Sequence, residues 1–273
     1  MTRQRVEHNK RGMHWKVETI TPAKAQRWLD TRNTHNRTLS EAEAQRFARD
    51  MLAGKWALTP QGISFNAEGI ILDGQTRLRA IVIAGKPVQM MVFDNVPTAA
   101  QPYMDKGRPR GTADVLTLTG TLGRVSRTEI ATLRNMIGCG VSESKCTDSE
   151  VAALLSKHRE AIRFALDNLK HKINGISNGV TRGVVARAWY SADHEKLRHF
   201  CDVLTTGMYS SAADSPIRLL WSWLLAGGTN GQARTSVARE KYGKTERALY
   251  AYLKGEKISK LCAVEKELFP IPE

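Results

Sequence analysis

The stretch from Ile70 to Phe93 leaves the backbone few choices. Ile70-Ile71-Leu72 is a short apolar run of the kind that makes a buried strand, and Asp73-Gly74 is a turn dipeptide. From Gln75 the period changes, with Leu78, Ile81 and Val82 on one helical face. Gly85 suits a left-handed residue at the helix end, Pro87 stops the helix, and Val88 to Phe93 returns to strand. The first amides of a helix lack intrahelical partners and carry the positive end of its dipole, so such a turn attracts anions. Arg77 and Arg79 add charge there. Two residues apart, they diverge by about 200° around the helix, and Arg77, in the first turn, is the one expected to face the turn. Arg79 is expected to reach a neighbouring element or a second phosphate. The same pattern also fits a plainer turn, with Asp73 capping the helix and both guanidinium groups solvated.

The flanks extend this into a mixed domain. Residues 1–16 hold Arg3, Arg5, Lys10, Arg11 and Lys16 against Glu7 and read as a flexible basic arm. Trp15 to Ile20 alternates as a strand, and Thr21-Pro22 opens a helix that turns Ala25, Trp28 and Leu29 inward. After the polar loop Asn33 to Leu39, Ser40 and Glu43 form a capping box for a second helix running to about Ala53. Its buried face is Ala44, Phe47, Ala48, Met51 and Leu52. Ile63 to Phe65 is a strand joined to Ile70 to Leu72 by a hairpin-like connection, and Pro97 to Tyr103 is a short helix.

Asp105 to Gly111 sets Lys106, Arg108 and Arg110 among glycines. Such a loop either grips phosphate and nucleic-acid backbone or is a solvated turn. From Ser126 onward only helical patterns recur, near residues 126–137, 148–170, 180–191, 194–206, 215–226, 232–241 and 244–254. Gly120 to Gly123 is the expected boundary, giving an α+β domain over 17–120 and an all-α domain over 121–273. Val151, Leu155 and Ile162, with Leu220 and Leu224, supply core stripes; Trp189, Tyr190, Trp221 and Trp223 read as helix-contact aromatics rather than stacking platforms. The tail cations, Arg234 to Lys260, with Gly243 and Gly255 between short helices, have the composition of a small DNA-binding helical unit.

The chain of 273 residues carries 41 Lys+Arg against 27 Asp+Glu, a formal charge of +14. That excess favours a polyanionic partner, nucleic acid first; the alternative it leaves is a generally basic but unspecialised surface. No apolar run approaches a membrane span and no signal peptide precedes the first helix, so a soluble, cytoplasmic protein is expected. Cys139, Cys146, Cys201 and Cys262 form no C-x-x-C pair and read as free thiols; no metal site is expected. His194 and His199, five apart on a helix, read as surface residues.

Asp73-Gly74-Gln75-Thr76-Arg77-Leu78-Arg79-Ala80 resembles the Asp-Gly-Gln-His-Arg box of phage and bacterial ParB-like proteins. It is also similar to the Gly-Glu-Arg-Arg box of ParB partition proteins and, more distantly, to the phosphate loop of sulfiredoxin. Met51 to Trp56, Gly62 to Asn66 and Met104 to Arg110 resemble phage-type members in order and spacing. The resemblance implies a ParB/sulfiredoxin-like fold and nucleotide phosphate held by Asp73, Gly74, Gln75, Thr76, Arg77 and Arg79. It also implies Asn36 and Arg37 as second contacts beside the box. A nucleoside triphosphate, CTP or ATP with Mg2+, is the implied ligand, and DNA the implied partner; if the chain is phage-encoded, it acts in host cytoplasm. Two departures narrow this. Thr76 stands where the box has His or Arg, and Gln75 where partition proteins have Glu and sulfiredoxin has its cysteine, so sulfinic acid reduction lacks a nucleophile.

Three functional readings follow. The first is a DNA-associated, nucleotide-binding ParB-like protein, able to form homo-oligomers. The second is an enzyme of that superfamily, a nucleotide hydrolase, kinase or nuclease, for which Asp73, Glu68 and Asp105 are the nearest bases or metal ligands. The third is a binder of a host protein through its helical half.

Overall fold

The computed structural model describes residues 12–34, 36–104, 110–139, 146–170, 173, 175–226, 234–264 and 267–272. The chain divides into two compact units at Arg110. Mixed α/β structure fills the first, built from β1 (His14–Ile20), α1 (Pro22–Arg32), α2 (Glu41–Leu52), β2 (Ile63–Phe65), β3 (Ile71–Asp73), α3 (Gln75–Ala84) and β4 (Val88–Asp94), then a 3-10 turn over Thr98–Tyr103. The sheet runs β1-β4-β2-β3; β1 is antiparallel to β4, β4 parallel to β2, and β2 antiparallel to β3.

Local signals place these elements as expected. Thr21 caps α1 through Lys24 N–H at 3.3 Å and Ser40 caps α2 through Glu43 N–H at 3.4 Å. Ile20, Ile63, Phe65, Ile71, Met90 and Val92 point from one sheet face into a core with Ala25, Trp28, Ala48, Met51, Leu78 and Ile81 of the three helices. Leu52, expected inside, is exposed, because α2 is in its last turn and Met51 already fills the inward position. Of the basic arm, residues 1–11 lie outside the described residues, while Lys16 belongs to β1 and pairs with Glu18 at 3.2 Å.

The second unit is helical: α4 (Thr112–Thr119), α5 (Arg127–Ile137), α6 (Asp148–Asn168), α7 (Gly179–Ala188), α8 (His194–Thr206), α9 (Ser215–Leu225) and α10 (Arg234–Lys254). Its boundary precedes the expected glycines, because Ala113 and Leu116 of α4 are buried in the helical core. Gly120 ends α4 at φ 73°, and Gly123 N–H closes a turn on its carbonyl, so these glycines form a corner within the unit rather than a linker. The two helices expected around Gly243 are one. Gly243 is needed there because a Cβ would lie 3.1 Å from the Val264 carbonyl oxygen and 3.1 Å from Ala263 Cβ: it lets the chain after α10 pack flat against the helix. No helix among the described residues is long and apolar enough to cross a membrane.

Histidines expected at the surface are instead half-buried and bonded. His194 stacks on Trp189 and lies 2.9 Å from the Trp189 carbonyl oxygen. His199 Nε2 lies 2.9 Å from Oδ1 of buried Asp214, whose Oδ2 accepts from the amides of Ser210 and Ser211. Burial raises the Asp214 carboxyl, but His199 and the two amides outweigh it and hold the group below its ordinary 3.8. A carboxyl depressed by folding contributes stability above its unfolded pKa and loses it as pH falls through the folded value. Asp214→Asn should therefore cost about 2 kcal/mol at pH 7, with the gap from wild type closing below pH about 4. Urea melts across that range measure the gap.

Candidate functional site

The turn from β3 into α3 requires glycine twice over. Gly74 has φ of 103°, and a Cβ there would lie 2.6 Å from Ile63 Cδ1 and 3.1 Å from the Gly62 carbonyl oxygen. The close approach it permits is to the chain entering β2. Asp73 Oδ1 accepts from Gly74 N–H at 2.6 Å. No side chain caps α3 itself, so the amides that open the helix keep their donors.

Arg77 turns toward the loop, as its place in the first turn requires, and is clamped there. Nε and Nη2 donate to the Gly62 carbonyl oxygen at 3.1 and 2.8 Å, and Nη2 reaches Asp73 Oδ2 at 2.6 Å. With its side chain only 13% exposed, it joins the start of β2 to the turn instead of presenting a free guanidinium. Arg79 reaches the neighbouring element: Nε lies 3.1 Å from both carboxylate oxygens of Glu41 on α2, and Nη2 lies 2.7 Å from Oε1. That hydrogen bonding lowers the Glu41 carboxyl and raises the Arg79 guanidinium.

Gln75 is the hinge pin of the site. Its buried amide donates to the Arg37 carbonyl at 2.8 Å, and its oxygen accepts from Asn33 Nδ2 at 3.1 Å. Asn36 Nδ2 donates to the Ile71 carbonyl at 2.8 Å and to Asn33 Oδ1 at 2.7 Å. The loop before α2 is thereby laced to the box. Gln75→Ala should cost about 1–3 kcal/mol, because it leaves the partly buried hydrogen bonds to the Arg37 carbonyl and the Asn33 amide unmade. Faster hydrogen exchange in residues 33–37, with the rest of the sheet retained, would register the effect.

The box residues therefore separate into two sets. Asp73, Gln75, Arg77, Arg79 and Asn36 are committed to internal bonds. The half-buried Thr76 hydroxyl and the exposed Arg37 guanidinium have no hydrogen-bond partner among the described residues, and the opening amides of α3 stay uncapped. Lys106, Arg108 and Asp105 lie outside the described residues, whereas Arg110 is exposed at the start of the second unit. Of the residues that an enzymatic reading would use, Asp73 is tied to Gly74 and Arg77, and Glu68 is exposed at the tip of the β2–β3 connection. Among the described residues no three His, Cys, Asp or Glu side chains converge as metal ligands, and none of the four cysteines forms a disulfide.

Sequence reasoning missed Gly62, Asn33 and Glu41, which orient the box. Gly62 stood directly before a strand, a recognisable sign of close backbone approach, whereas nothing distinguished Asn33 from its polar neighbours.

The helical unit offers less to a polyanion than its composition suggested. α10 is a core helix, with Tyr242, Thr245, Glu246, Ala248 and Leu249 buried. Several of its cations are committed: Lys244 to Glu240 at 2.7 Å, Arg247 to Glu256 at 2.7 Å, and half-buried Lys241 toward the Gly175 carbonyl. A cleft of about 410 Å³ between α6 and α8 mixes Asp167, Glu195 and Asp202 with Lys170 and Arg198, so it presents no single sign of charge. Comparison with protein-family models, with curated proteins and with solved structures finds no match.

Proposed function

We propose that the chain is a DNA-associated protein of the phage ParB-like type, with a ParB/sulfiredoxin-like first unit that binds a nucleoside triphosphate at the start of α3. The observation that carries this reading is the placement of uncommitted donors beside one another. The opening amides of α3 and the Thr76 hydroxyl share a helix start, and Gln75 fastens the backbone of Arg37 next to it. Amides at a helix start favour phosphate oxygens, and a guanidinium adds a planar, charged donor for a second phosphate. Asp73, Asn36, Gln75, Arg77 and Arg79 act as positioning residues that hold this arrangement before ligand arrives. CTP and ATP both fit such a site, because it reads phosphate. The box has no unpaired carboxylate, so Mg2+ would be held mainly by the phosphates it accompanies.

A net charge of +14 supports DNA as the macromolecular partner, with Arg110 and the neighbouring Lys106 and Arg108 as contacts. The reading predicts that log affinity for duplex DNA falls linearly with log salt, by about 0.9 per phosphate contacted, and that Arg110→Glu flattens the slope by about one contact. Fluorescence anisotropy with and without CTP, ATP and Mg2+ measures both terms. Salt-insensitive binding would contradict DNA contact, and affinity unchanged by either nucleotide would separate the nucleotide site from it.

A further inference from the structure

Opposite the helix-covered face, the sheet carries apolar side chains at its β1 end. Met13 and Trp15 are each 61% exposed and Val17 is 47% exposed, at alternate positions on one face of the strand and its lead-in. Trp15 lies opposite Phe93 and Val17 opposite Met91, both half-buried, so the apolar strip continues across β4. β1 is also the edge of the sheet, seven residues long and without proline, and among the described residues its outer backbone donors and acceptors pair with no other strand. A long edge strand flanked by an apolar strip is suited to pairing with another strand.

The sequence of β1 selects its partner. When a strand pairs antiparallel with a second copy of itself about a two-fold axis through the sheet, facing residues must lie on the same face. The axis then passes through a residue, Lys16, Val17 or Glu18. Centring it on Lys16 sets lysine against lysine, and centring it on Glu18 sets glutamate against glutamate. Centring it on Val17 sets Lys16 of each copy against Glu18 of the other, Trp15 against Thr19, and joins the two apolar strips into one. Opposite charges facing across strands stabilise and like charges destabilise. We infer that β1 is a self-association edge, pairing two copies of this chain in the Val17-centred register into one continuous eight-stranded sheet, twice the four strands of one copy.

Sedimentation equilibrium of the full chain tests the association. Wild type is expected to show a concentration-dependent monomer–dimer equilibrium, and Val17→Lys, at an exposed position, to give monomer with an unchanged melting temperature. Lys16→Glu is expected to raise the dimer dissociation constant about tenfold, since both cross-axis attractions become repulsions. Cysteine crosslinking fixes the register. Facing residues of antiparallel strands lie within disulfide reach, so Val17→Cys should give an oxidised, reducible dimer, absent from wild type. Trp15→Cys and Thr19→Cys should each remain uncrosslinked on oxidation alone but form a disulfide-linked dimer when mixed. A monomer at all concentrations, a dimer indifferent to Val17→Lys, or preferential crosslinking between two copies of Thr19→Cys would overturn the inference.

Discussion

Gly62→Ala is expected to destabilise the first unit by about 4 kcal/mol or more, enough to unfold much of it. The added Cβ would overlap the Met91 carbonyl oxygen and lie 2.6 Å from its carbon and 2.8 Å from Met91 Cβ. These are atoms of β4, the strand running parallel to β2, and the carbonyl cannot rotate away as a side chain can. Overpacking of this kind costs about 1–3 kcal/mol when neighbours yield and more when they are backbone. The Gly62 carbonyl also receives both Arg77 donors, so a shift that relieves the overlap breaks a charge-assisted pair of about 1.5–3 kcal/mol. Gly85→Ala is the control: its φ is 64°, but a Cβ there meets nothing within 4 Å, so only the backbone penalty of about 1 kcal/mol applies. Hydrogen exchange of first-unit amides, read against urea, separates the two variants.

The second large effect lies in the helical core. Arg187 is 3% exposed, and its Nε donates to the Phe269 carbonyl at 2.8 Å. Nη1 meets the Met136 carbonyl at 2.9 Å and Cys139 Sγ at 3.0 Å, and Nη2 meets Glu267 Oε2 at 2.5 Å. Nearby, buried Glu246 accepts from the amides of Leu268 and Phe269 at 2.9 and 3.2 Å. One guanidinium thus ties the end of α5 to the chain's last described segment. Arg187→Ala is expected to cost about 3–5 kcal/mol, because two carbonyls and the Glu267 carboxylate lose their donor at once and a cavity replaces the side chain. Residues 267–272 should become sensitive to protease before the rest of the unit unfolds. Arg187→Met keeps much of the volume but restores no donor, so it should recover only the cavity share of the loss. The thiol beside it is a poor nucleophile, since burial and the hydrogen bond to Glu267 push Cys139 up to about 11.

Most of the architecture was legible because local and global preferences agree. Thr21-Pro22 and Ser40 each begin a helix and accept from its backbone as side-chain chemistry dictates. Where local signals failed, tertiary contact decided. Gly243 looks like a helix break in sequence, but the chain near Val264 needs the space a side chain would fill. Gly120 and Gly123 look like a linker, but Ala113 and Leu116 before them are buried in the second core.

At the box, the turn, the helix and the direction of Arg77 were readable from spacing. What each polar group bonds to was not, because those partners are distant in sequence: Gly62 for Arg77, Glu41 for Arg79, and Asn33 and Arg37 for Gln75. Charge alone made both arginines look like ligand contacts. Geometry makes them braces, and the proposed nucleotide site then rests on Thr76, the α3 amides and Arg37.

That reassignment has a direct measurement. In backbone amide NMR spectra of the full chain titrated with CTP or ATP, with and without Mg2+, the account predicts saturable shifts concentrated on Gln75, Thr76 and Arg77. Arg37→Ala should weaken the binding while leaving the Arg77 clamp folded. Spectra unchanged at millimolar nucleotide, or shifts confined to the helical unit, would contradict a phosphate site at the start of α3.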